Sequence, residues 1–136
     1  MASIRIRRAA ALLGVSDDTI RRWASTGRLT LSSDETGHQV VDGEQLARVA
    51  REQADSVEIL PSHPVVAGSA RNRFLGVVTR VVRDTVMAQV EIQAGPHRVV
   101  SLMSREAADE LGLEPGVLAV ASVKSTNVVV EVPDLG

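Results

Sequence analysis

The sequence predicts an α+β chain of two small units, a winged helix-turn-helix over residues 1–55 and a small OB-like β-barrel over 68–134, joined by a linker over 56–67. Three observations predict it. Up to about Gln53, Ala and Leu recur between arginines among good helix formers, whereas from about Asn72 β-branched and aliphatic residues alternate with polar ones. Between them, in Asp55 to Gly68, Pro61, Pro64 and Gly68 interrupt any regular element. Finally, 136 residues shared between two units leave each with a thin core, so that association with further copies is expected.

Hydrophobic residues make up 44% of the chain and charged residues 24%, and Trp23 and Phe74 are its only aromatics, so the cores are aliphatic. With no cysteine, disulfides and thiolate metal sites are excluded, in keeping with a reducing, cytoplasmic setting. No apolar run approaches the ~18 residues of a membrane span, and the first residues alternate Arg with Ile where a secretory leader would be apolar. The net charge of -2 hides a local field. Residues 1–28 carry Arg5, Arg7, Arg8, Arg21, Arg22 and Arg28 against Asp17 and Asp18, a local balance of 6 − 2 = +4, where a nucleic acid can use it.

Taken in order, Ile6 to Leu13 reads as a short helix with Ala9, Leu12 and Leu13 inward, ended by Gly14. Ser16 is a good N-cap for a second helix, and Asp17 and Asp18 suit the positive end of its dipole. Over Asp17 to Ser25, Ile20, Trp23 and Ala24 form one apolar stripe, which makes Trp23 a core residue and leaves Thr19, Arg21 and Arg22 on other faces. Two helices joined by a tight Gly turn, the second carrying outward arginines, form a helix-turn-helix whose second helix enters the major groove. Leu29 to Val41, with Ser32, Ser33, Asp34 and Gly37, reads as a small hairpin or wing, and a third helix runs from Gly43 to Gln53.

The segment RAAALLGVSDDTIRRWASTGRL with TGHQVVDGEQL resembles the MerR-like and excisionase-like winged helix-turn-helix group over roughly the first 50 residues. The resemblance implies DNA contact by helix two, with Arg21 and Arg22 foremost and Thr19 and Arg28 beside them, and backbone contact by the wing at Thr36, Gly37 and His38. Where that group often has basic residues after the wing's Gly-His, this chain has Gln39 and Val40.

In the second half, Phe74–Val82 and Val86–Ile92 read as strands joined at Asp84-Thr85, and Gly95-Pro96 turns into a third strand through Val99 and Val100. Ser104 caps a short helix, Arg105 to Leu111, ended by Gly112, with Glu106, Asp109 and Glu110 on its solvated face. After the Pro115-Gly116 turn, Val117–Val123 and Val128–Val132 complete a β-β-β-α-β-β order, that of a closed or nearly closed barrel of the OB type. A lone Phe74 is too few aromatics for stacking on single strands of nucleic acid. Three polar clusters remain: Ser69-Ala70-Arg71-Asn72, Ser101 to Ser104, and Lys124-Ser125-Thr126-Asn127. Hydroxyls, backbone N–H groups and a helix start donate, and Arg71 and Lys124 supply charge, a set suited to a compact anion. His63 and His97 fit no metal-ligand spacing and read as surface histidines.

SARN, VVSLMSREAADELGLEPG and VASVKSTNVVV together resemble the Mop or TOBE-like molybdate-binding domain over about residues 68 to 132. That resemblance implies molybdate, or the similar dianion tungstate, held by Ser69, Ala70, Arg71 and Asn72 from one motif, Ser101 and Ser104 from a second, and Lys124 and Ser125 from a third. It also implies a homo-oligomer, because such sites lie between subunits or paired barrels.

The expected function is a transcription regulator whose DNA affinity follows oxyanion occupancy. A molybdate storage or buffering oligomer, with the helix-turn-helix as a protein-interaction module, is the alternative, and a DNA-architectural protein a third reading. An enzyme is not expected, since no nucleophile-base pair, cofactor loop or clustered carboxylates are present in the sequence.

Overall fold

The computed structural model describes residues 2–56 and 69–134, which belong to two compact units, Met1–Pro61 and Ser62–Gly136. His63 and the expected linker, apart from Ser56, lie outside the described residues. Among the described residues no helix is long and apolar enough to cross a membrane.

The N-terminal unit runs β1 (Ser3–Arg5), α1 (Ile6–Leu13), α2 (Asp17–Ser25), β2 (Leu31–Ser33), β3 (Gln39–Asp42) and α3 (Gly43–Asp55). Gly14 ends α1 in the left-handed conformation, φ 68°, and its N–H closes the helix on the carbonyls of Ala10 and Ala11. Ser16 then starts α2, its hydroxyl accepting from the Thr19 N–H at 3.1 Å, and the Asp42 carboxylate caps α3 through the Gln45 N–H at 3.2 Å. The strands form an antiparallel sheet in the order β1-β3-β2. Ile6, Ala9, Ile20, Trp23, Leu29, Val41, Leu46 and Val49 make one core, each larger aliphatic side chain contributing about 1.5–3 kcal/mol on full burial. Leu12, expected inward, is instead 67% exposed. The buried stripe of α1 runs through Ile6, Ala9 and Ala10 with Leu13 packed beside it, the i, i+3, i+4, i+7 pattern that turns Leu12 outward.

The C-terminal unit runs β4 (Ala70–Arg83), β5 (Met87–Ala94), β6 (His97–Ser104), α4 (Arg105–Glu110), β7 (Leu118–Lys124) and a 3-10 turn, Ser125–Asn127. Its antiparallel sheet has the order β6-β5-β4-β7. The first half of β4 pairs with β7, from Ala70 opposite Lys124 to Val77 opposite Leu118, and the second half pairs with β5. The changeover is at Val77, which pairs with Leu118 on one side and Gln93 on the other. A Cβ on Gly76 would lie 2.5 Å from both the Gln93 carbonyl oxygen and Ile92 Cγ2, so glycine is required where β4 passes close over β5. Irregular register between Val78 and Arg80 bends the strand further. The curl gathers Val78, Val90, Ile92 and Leu113 into a core against Val81, Met103, Val117, Ala119 and Ala121. On β5, Glu91 is buried and paired with Arg98 of β6.

One expectation for this half is corrected. Val128–Val132 is not a strand of this sheet: residues 128–134 follow the 3-10 turn without joining a ladder, and Val129, Val130 and Val132 are 83%, 83% and 92% exposed. The ladder of β7 ends at Lys124, and the turn at Ser125–Asn127 carries the chain off the sheet, so among the described residues the four-stranded sheet is open at β6 and β7. Glu106, Asp109 and Glu110 are exposed on α4 as expected, and Asp109 is bonded as well. It accepts from Arg83 Nε at 3.0 Å and lies 3.8 Å from Arg105 Nε, tying α4 to the end of β4.

Asp84 organises the β4–β5 turn. Its carboxylate accepts from the N–H of Met87 at 2.6 Å and of Val86 at 2.8 Å, and these bonds hold it below the ordinary aspartate value of 3.8. Because the folded value is the lower one, the stabilisation is complete above the ordinary value and is lost as pH falls through the lowered one. Asp84→Asn is therefore expected to lower the melting temperature modestly at neutral pH and to flatten its fall below about pH 4. Melting curves of both proteins across that range check this, and an unchanged acid limb would show that Asp84 contributes nothing to it.

Candidate functional site

The pairing of β4 with β7 brings two of the three polar clusters together. Ala70 stands opposite Lys124, so Ser69 to Asn72 and Lys124-Ser125 share one end of the ladder. The register breaks between Ala70 and Asn72, which leaves Arg71 as the inserted residue with its side chain exposed. Asn72 donates its side-chain amide to the Val123 carbonyl at 3.2 Å, fastening the end of the ladder. Lys124 leads into the 3-10 turn, where the Ser125 carbonyl accepts from the Val128 N–H at 3.3 Å. Among the described residues neither Arg71 nor Lys124 has an ion-pair partner. The ladder end thus carries two exposed cations, with Ser69 and Ser125 close to them in sequence, groups able to supply charge and hydrogen-bond donors to an anion.

The second cluster is divided. Ser101, half-buried on β6 opposite Val90, lines a cleft of about 430 Å³ whose far wall is β7, including Ala121, Ser122 and Val123. Ser104 lies opposite Met87, at the other end of the sheet from Ala70 and Lys124, and its hydroxyl accepts from the Ala107 N–H at 3.1 Å as the cap of α4. One chain therefore joins the first and third clusters, places Ser101 across the cleft and sets Ser104 apart. Ser122, overlooked in the sequence, also lines this cleft; its only signal is the polar position in the alternation of β7. Among the described residues no group of three or more His, Asp or Glu is placed to hold a metal ion.

Residues 68–130 match the TOBE domain. A stretch of 63 residues is 36% identical to molybdenum-pterin-binding protein 2 of Clostridium pasteurianum, covering 46% of this chain and 93% of that protein. The chain belongs to the TOBE-domain family. Molybdenum-pterin-binding protein 1 of the same organism matches at 33% identity with the same coverage. Among solved structures, a molybdate binding protein from Sporomusa ovata is similar at 29% identity and a TM-score of 0.46, covering 48% of this chain and 97% of that one. The TOBE match takes in all three polar clusters and the two strands that flank the cleft.

Outside the TOBE domain, the N-terminal unit arranges its expected contact residues unequally. Asp18, Arg21, Arg22 and Ser25 share the exposed face of α2 at the i, i+3, i+4, i+7 spacing. Arg21 donates to Asp18 Oδ1 at 3.3 Å and to Gln39 Oε1 at 3.4 Å. Arg22 is exposed, and its side chain has no partner among the described residues. Thr19 is occupied at the helix start, its hydroxyl 2.9 Å from that of Ser16. Arg28 is engaged within the unit: its guanidinium lies 4.8 Å from the centre of the Trp23 ring and pairs with Glu52 at 3.3 Å.

Thr36, Gly37 and His38 belong to a turn built around Asp34, whose role the sequence reading missed. Asp34 Oδ1 accepts from the Thr36 hydroxyl and from the N–H groups of Thr36 and His38, all within 2.9 Å. These bonds, the Thr36 hydroxyl foremost, hold the Asp34 carboxyl below the usual aspartate value. Arg5 reaches the same carboxylate at 3.5 Å. Gly37 takes the left-handed conformation the turn requires, φ 82°. The one signal for this motif in the sequence is an aspartate three residues before a glycine, which marks a turn but not its partners.

Proposed function

We propose that this chain is a DNA-binding transcriptional regulator that senses molybdate, or the similar dianion tungstate, through its TOBE domain. The observation that carries the ligand is the match of a 63-residue stretch to 93% of a molybdenum-pterin-binding protein, with the Arg71 and Lys124 clusters adjoining on one ladder end. A tetrahedral dianion suits two exposed cations that have no ion-pair partner among the described residues and have serines close by in sequence. The DNA-binding half rests on α2, where Arg21 and Arg22 stand on an exposed face, and on the local balance of 6 − 2 = +4 over residues 1–28.

The separation of Ser101 and Ser104 from Lys124 supports a site completed by a second copy. Edges of β6 and β7 that are open among the described residues, a cleft between them and the exposed Val128, Val129, Val130 and Val132 give such a copy a place to add. In the proposed regulator, molybdate bound between copies favours one arrangement of the assembly, and operator affinity follows that arrangement.

Two measurements test the two halves. Calorimetry with molybdate and with sulfate is expected to give heat and saturation with molybdate and far weaker binding of sulfate; no heat, or equal affinity, removes the sensing role. DNA titration over a range of salt is expected to show sequence-selective binding, with Arg22→Ala lowering the salt slope by about one. Molybdate binding without selective DNA binding would favour a buffering oligomer, a reading that has in its support relatives spanned almost wholly by the TOBE domain.

A further inference from the structure

Two arginines adjoin on the outward stripe of α2, and their surroundings differ in kind. Arg22 is unpartnered among the described residues and keeps the rotamer freedom of a surface arginine. The Arg21 side chain, 49% exposed, is held from two elements, by Asp18 on its own helix and by Gln39 at the start of β3, where the chain leaves the wing turn. Such anchoring does two things. It lets a planar guanidinium keep one orientation, which bidentate contact with a base edge requires and a phosphate contact does not. It also places the Asp18 carboxylate, 93% exposed, beside the guanidinium, where it partly neutralises the charge and repels a phosphate.

We propose that Arg21 is the base-reading residue of this surface, that Asp18 and Gln39 are the positioning residues that hold its guanidinium, and that Arg22 serves the phosphate backbone. The proposal rests on the DNA-binding reading above and names the division of labour within it. The recognised feature is a G·C pair in the major groove. Arg21 spends two of the five N–H donors of a guanidinium on Asp18 and Gln39, which leaves three for the acceptors of guanine, N7 and O6. The neighbouring carboxylate is matched to the exocyclic amino group of the paired cytosine, an acceptor meeting a donor. Gln39 stands where a basic residue would add phosphate affinity, and its carbonyl oxygen instead accepts from Arg21. A short polar acceptor at that position is what positioning requires.

The test begins with selection of preferred duplexes from a randomised pool by the full-length protein. The preferred duplex and its single-base variants are then titrated at several salt concentrations with the parent protein and with Arg21→Ala, Arg22→Ala, Asp18→Ala and Gln39→Ala. Arg21→Ala is expected to lose about tenfold or more of the discrimination at one G·C pair. Asp18→Ala and Gln39→Ala are expected to lose part of it at the same pair, with the salt slope unchanged in Gln39→Ala and no lower in Asp18→Ala. Removal of the carboxylate should leave affinity for the non-preferred duplexes equal or higher, a result that damage to the fold would not give. Arg22→Ala should weaken binding to all duplexes alike and lower the slope. Unchanged discrimination in both Asp18→Ala and Gln39→Ala, or loss at a pair that Arg21→Ala does not affect, overturns the assignment while leaving the DNA-binding reading intact. Failure of the parent protein to select any duplex overturns both.

Discussion

Ending the chain after Asn127 is expected to abolish molybdate binding and to reduce the size of the assembly, with both units still folded. Val128, Val129, Val130 and Val132 are 45%, 83%, 83% and 92% exposed in one chain and join no strand, so their removal costs the isolated chain little. In an assembly the balance is different. Each valine side chain taken fully from water contributes about 1.5–3 kcal/mol, and an added strand also satisfies the unpaired backbone groups along β6 or β7. Several such side chains offset the lost freedom of association, itself about 4–15 kcal/mol. Sedimentation velocity and calorimetry on the full and shortened chains check the prediction, and Val130→Lys, which places a charge on the tail, should act in the same direction. A shortened chain with unchanged assembly and molybdate affinity would rule out a role for the tail in either.

Gly76→Val is expected to lower the stability of the TOBE unit by about 3 kcal/mol, a drop of roughly 10–20 °C in its melting temperature. The built Cβ would already lie 2.5 Å from a backbone oxygen and 2.5 Å from a side-chain methyl, and the oxygen belongs to Gln93, which pairs with Val77 in the ladder. That carbonyl cannot retreat without loosening the ladder, and β4 cannot lift without losing the curl that brings β6 and β7 to the same cleft. Trp23, the only tryptophan of the chain, is buried in the other unit. Its fluorescence therefore serves as an internal control: circular dichroism in the strand region should melt early in Gly76→Val while the tryptophan transition stays in place. Equal shifts of both signals, or of neither, would contradict this account.

The parts of the molecule legible in the sequence are those governed by near neighbours. Ser16 and Ser104 cap the helices they were expected to cap, Gly14 ends α1, and Ile20 and Trp23 are buried, because each outcome depends on residues within one or two turns. Strand β1 went unread because three residues show no period, and only β3, arriving from Asp42 back to Val40, gives them partners. The positions of Arg28 and Asp109 depend on side chains far along the chain, Glu52 in one case and Arg83 in the other. The Val128–Val132 segment has the composition of a strand, yet composition states a preference for an edge without supplying one. For the anion site, the sequence named the clusters, whereas the joining of SARN to Lys124 and the separation of Ser104 follow from sheet register, which a one-residue slip would change throughout.

The divided service of β4 has a consequence for how the chain acquires its structure. Its second half finds β5 at once through the Asp84 turn, a local hairpin of the kind that closes in microseconds. The first half must wait for β7, since Val77 pairs with Leu118 and Ala70 with Lys124, and closing so long a loop is costly before any contact repays it. On the ribosome, the N-terminal unit is complete before β7 has been made. The stretch from Ala70 to Gly76 then emerges ahead of its partners, and the time its backbone groups spend unpaired makes the first half of β4 a segment in need of protection from aggregation in the nascent chain.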